Sequence, residues 1–87
     1  MNEIIINIID KVLLAKLELK SLYEQWPEDM AKNQFYESIF DDIERAVEHQ
    51  SGNIFDNSIN MERWVNSSDY KRLLKIKDML KMGNVPK

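Results

Sequence analysis

The side chains best equipped for chemistry lie in one stretch. FYESIFDDIERAVEH, residues 35–49, carries Glu37, Asp41, Glu44 and Glu48 at helical spacing, with Asp42 beside them, Arg45 as the one strong base and His49 at the end. Carboxylates so arranged suit three chemistries: ligation of a hard metal ion, general acid–base catalysis, or electrostatic recognition of a cationic partner. At 100° per residue the four stripe acids fall within about 60° of helix surface, roughly opposite the apolar residues. They therefore point into water.

That direction bears on the first two chemistries. A tight metal site needs ligands converging from several elements, and one exposed stripe diverges. The di-iron bundle pattern wants Glu-x-x-His on facing helices, whereas the residue three before His49 is Ala46, which cannot ligate. Catalysis meets a similar shortage. The chain has no Cys and a single His, so any imidazole-based triad would have to be built around His49. At the end of its helix that ring reads first as a partner of the helix dipole. No enzyme activity, metal or cofactor is expected.

Three long helices and one short segment must position these residues. The first is expected over about residues 2–25, where Ile5, Ile8, Val12, Ala15, Leu19, Leu22 and Trp26 alternate spacings of three and four. Ile6, Ile9, Leu13 and Leu17 widen that stripe, and Pro27 ends the helix. The stripe serves the domain's own core or, in part, a homodimer seam. The core reading is favoured, because the pattern is short and lacks complementary flanking charges. PEDMAKN is a polar connector. Asn33 then caps a second helix whose buried face is Phe35, Tyr36, Ile39, Phe40, Ile43, Ala46 and Val47, with Gly52 placed for a left-handed cap. Residues 53–66 are the least periodic; Ser58 is placed to cap a short helix carrying Ile59, Met61, Trp64 and Val65. The last helix starts at Ser67 or Ser68, ends near Gly83 and Pro86, and turns Tyr70, Leu73, Leu74, Ile76 and Leu80 inward, with Lys77 snorkelling at the edge.

No segment alternates like a half-buried strand, and 2 Gly and 2 Pro in 87 residues leave little material for hairpins. The expected fold is all-α, a small antiparallel helical bundle forming a single domain over residues 1–87. The N-terminal IIINII run is broken by Asn7 and lacks a basic leader, and no apolar stretch reaches membrane-spanning length, so a soluble, cytoplasmic protein is expected.

Charge is unevenly spread behind a net −3. Residues 24–62 carry ten acids against Lys32 and Arg45, while residues 63–87 carry seven bases against Asp69 and Asp78. Lys71, Arg72, Lys75, Lys77 and Lys81 could touch phosphates. Against nucleic-acid binding stands an acidic helix in the same small body and a pI of about 5.1. The acidic stripe itself has two open readings, a solvated face or a docking face for a basic protein. Three features favour docking. The stripe is single-signed, it lacks the lysines that would form i,i+4 pairs, and aromatics border it at Tyr36, Phe40 and Phe55.

The stretch ERAVEHQSG resembles the immunity proteins of nuclease bacteriocins, four-helix inhibitors whose acidic second helix closes in Glu-His-x-Ser-Gly, matched here by Glu48, His49, Ser51 and Gly52. The resemblance implies an inhibitor that binds a basic toxin, a nuclease domain above all, beside its active site. After Gly52 the sequence departs from that family. Asn53-Ile54-Phe55-Asp56-Asn57 holds neither the tyrosine pair nor the proline of the family's short third helix, so those anchors are not carried over. A separate immunity or antitoxin family, paired with contact-dependent or other secreted bacterial toxins, is an equal reading. In either case the expected partner-binding residues are Glu37, Asp41, Asp42, Glu44 and Glu48. The alternatives are a structural or regulatory homodimer joined through the first helix, and a nucleic-acid-binding regulator using the last.

Overall fold

A computed structural model describes residues 2–51 and 58–83. Its elements are α1 (Asn2–Leu13), α2 (Leu19–Gln25), a 3₁₀ turn (Glu28–Met30), α3 (Gln34–Ser51), α4 (Ser58–Val65) and α5 (Ser68–Lys81). Among the described residues there is no strand, and the all-α expectation holds. The cap at Gly52, the border at Phe55 and the stop at Pro86 lie outside the described residues.

The expected first helix is two helices, and the break has a physical form. Lys16 N–H donates to Lys11 at 2.9 Å and Ala15 N–H to Val12 at 2.9 Å. This is the paired closure of a Schellman motif, with Ala15 in the left-handed region at φ 57°. Nothing in LAKLE breaks a helix locally. Packing does: the chain turns at Ala15, and both Leu17 and Leu22 beyond the turn are buried in the core. Two side chains hold the broken end. Gln50 of α3, itself buried, donates to the Val12 carbonyl, and the Trp64 indole of α4 donates to the Leu13 carbonyl at 3.1 Å.

The other termini follow their local chemistry. Trp26, held extended before Pro27, closes α2. Asn33 accepts from Phe35 N–H at 2.9 Å to cap α3, and Ser67 accepts from Tyr70 N–H at 3.2 Å to cap α5. Gly83, at φ 73°, turns the chain out of α5.

Contacts fix the layout. Asn2 and Gln50 tie both ends of α1 along α3, through Tyr36 at 2.8 Å and through Val12, so α1 and α3 run parallel. Asp42 meets Arg72 and His49 meets Asp69, so α5 runs antiparallel to α3. Ile5, Ile8, Ile9, Val12, Ile43 and Leu73 form the centre of the core. Two expectations about individual residues change. Met30 of the connector is buried. Leu74, expected inside, is 39% exposed, since one step beyond Leu73 carries it about 100° round the helix. Lys77 does lie along the apolar edge, and its ammonium ends in an ion pair with Asp10 of α1.

Candidate functional site

The stripe on α3 is placed by what lies behind it. Burial of Tyr36, Ile39, Ile43, Ala46 and Val47 fixes the helix rotation, which leaves Glu37, Asp41 and Glu48 exposed and Glu44 half-buried. Glu37 and Asp41 make no ion pair with any described residue. Glu44 accepts a hydrogen bond from the Tyr23 hydroxyl of α2. Asp42 faces the other way. It pairs with Arg72 of α5 at 3.0 Å with its side chain 12% exposed, so four of the five expected residues share the face and the fifth belongs to the α3–α5 boundary.

Because the chain reverses at Ala15, α2 packs against α3 and brings aromatic residues to the acidic face. Trp26 meets Phe40 edge-on with ring centroids 4.9 Å apart, and Tyr23 meets Phe40 at 5.9 Å. Trp26, Phe40, Ala31 and Glu37 line a notch of about 220 Å³. Tyr23 stands 53% exposed at its edge. Its hydrogen bond to Glu44, lost hydration, and the negative charge of Glu44 and Glu48 push its phenol above the usual value of 10.0. Tyr36, expected on the buried face and also as a border of the stripe, is buried and bonded to Asn2. Tyr23 and Trp26 were not among the expected site residues. Their spacing of three was visible, yet only the break at Ala15 turns that spacing toward α3.

On the other side of α3 a cleft of about 680 Å³ separates it from α5. Phe35, Ile39, Ile76 and Met79 form its floor; Arg45, Lys71 and Lys75 stand on its rim. His49, read as a helix-end charge, has a defined neighbour there: its Nδ1 contacts the Asp69 carboxylate in the first turn of α5.

Among the described residues no three His, Cys, Asp or Glu side chains gather as a metal site, and no helix is long and apolar enough to cross a membrane. What the acidic face offers is charge next to accessible ring surface. Exposed carboxylates attract cations over several ångströms, and aromatic faces hold guanidinium or ammonium groups once they arrive. No protein-family profile, curated protein or solved structure matches the chain.

Proposed function

We propose that this chain is an immunity- or antitoxin-type inhibitor that binds and neutralises a basic protein toxin, best a nuclease domain, through the acidic face of α3. Glu37, Asp41 and Glu48 meet lysines or arginines of the toxin; Glu44 joins them from its bond with Tyr23, and Asp42, already held by Arg72, supports the flank. The observation that carries this reading is the pairing of a single-signed stripe with the Tyr23–Phe40–Trp26 cluster beside it. Carboxylates alone would only speed encounter. The rings supply the apolar contact from which affinity is built, the usual division of labour in tight interfaces.

The isoleucine stripe that a homodimer would use is taken up inside the chain: Ile5, Ile8 and Ile9 are all buried. Of the bases that a nucleic-acid reader would use, Lys71, Arg72 and Lys75 share their cleft with Asp42 and Asp69, and Lys77 is paired with Asp10. Both features favour the acidic face as the working surface.

The test is to look for a secreted protein with a basic C-terminal domain encoded beside this gene and to co-express that domain with the chain. Growth arrest by that domain should be relieved, and purified chain should block its cleavage of nucleic acid at about equimolar concentration. Persistent toxicity, with no complex at micromolar concentrations of both proteins, would contradict the proposal.

A further inference from the structure

The α3–α5 cleft has a charge balance opposite to that of the acidic face. Four of its rim residues are basic, and two of its acids are engaged inside the chain: Asp42 holds Arg72, and Asp69 contacts His49. Arg45, Lys71 and Lys75 make no ion pair with any described residue. Lys71 and Lys75 are one turn apart on α5, with Cβ atoms about 5–6 Å from each other, and Arg45 stands across from them on α3. Between them the floor is apolar. Phe35 and Met79 are only half-buried there, and the volume lies in the range of about 300–1,000 Å³ that holds a well-bound ligand.

We infer that this cleft is a second docking surface, which takes an acidic amphipathic segment of a protein partner. Charge complementarity selects the occupant. Carboxylates spaced one helical turn apart match Lys71 and Lys75, and apolar side chains between them cover Phe35, Ile39 and Met79, as when an amphipathic helix lies in a groove. A nucleic-acid strand fits less well, because its closely spaced phosphates would run past Asp42 and Asp69 and its backbone would leave the floor bare. This surface does not depend on the acidic face, so either can stand without the other.

The experiment uses the whole chain and a fluorescent synthetic peptide of about 15 residues, with Leu at i, i+3, i+4 and i+7 and Glu between. Saturable binding that weakens with salt is expected, and replacing every Glu of the peptide by Gln should cost about tenfold or more. Lys71→Glu with Lys75→Glu should cost a similar factor, as should Arg45→Glu alone from the opposite wall. All three residues are exposed and make no ion pair with any described residue, so circular dichroism should show the helices intact. Equal binding of the Glu and Gln peptides overturns the inference. So does tighter binding of a single-stranded oligothymidylate lost in the same variants, or self-association of the chain through the cleft that excludes the peptide.

Discussion

A phenol that donates to a carboxylate must give up that bond when it ionises. Tyr23 donates to Glu44 with Glu48 nearby, which raises its pKa above 10.0. A raised value means that the fold favours the neutral phenol. The associated stabilisation is therefore fully present below the unfolded value and is lost as pH climbs through the folded one. Ultraviolet titration, with Tyr23→Phe to assign the signal, should show Tyr23 ionising above 10.0, and Glu44→Gln should bring it back toward 10.0. A Tyr23 that titrates normally in both proteins would contradict the bond. Ala15 offers a second test on a single residue. A side chain at φ 57° costs about 1–2 kcal/mol, part of which glycine returns through its more flexible unfolded state. Ala15→Gly should raise stability by about 0.5–1 kcal/mol in urea unfolding. Destabilisation would show that the Cβ makes contacts worth more than the strain.

Among the elements, the junction of α1 with α3 and α4 holds the acidic face together, because it sends α2 back toward α3. Trp64→Phe keeps a ring in the core but removes the donor to the Leu13 carbonyl. An unsatisfied buried acceptor costs about 1–3 kcal/mol, so the urea midpoint should fall by that equivalent at unchanged slope. An unshifted midpoint would mean that the indole bond contributes nothing. This junction was also the part least legible in the sequence. The helices α3 and α5 could be read from local signals, a capping Asn33 or Ser67 followed by periodic apolar residues, and the exposed side of the acidic stripe followed from the same periodicity. The break at Ala15 has no local cause: residues 14–18 contain neither Gly nor Pro, and Gln50 and Trp64 supply the reason from far along the chain. The same holds for Asp42. Whether it joined the stripe or paired inward was decided by Arg72 on a different helix. Met30 was hidden because a lone apolar residue in a polar connector has no period.

The backbone extends over 41 × 25 × 17 Å between Cα atoms, and in so thin a body one helix can serve two surfaces. On α3 the stripe acids and the cleft residues Ser38, Asp42 and Arg45 lie about 100° apart around the axis. The modest net charge of −3 thus conceals two local fields, one negative over the exposed stripe of α3 and one positive over the cleft. Local fields of this kind act on encounter rate, and salt screens them within about 10 Å at 0.1 M. The most direct measurement is the stopped-flow association rate with the basic toxin domain proposed as the partner, for the native chain and for Glu37→Lys with Asp41→Lys, at ionic strengths from about 0.01 to about 0.15 M. The native rate should fall by about tenfold or more over that range, and the double variant should associate slowly at every salt concentration. Equal rates for the two proteins, insensitive to salt, would show that the acidic face is not where the partner binds.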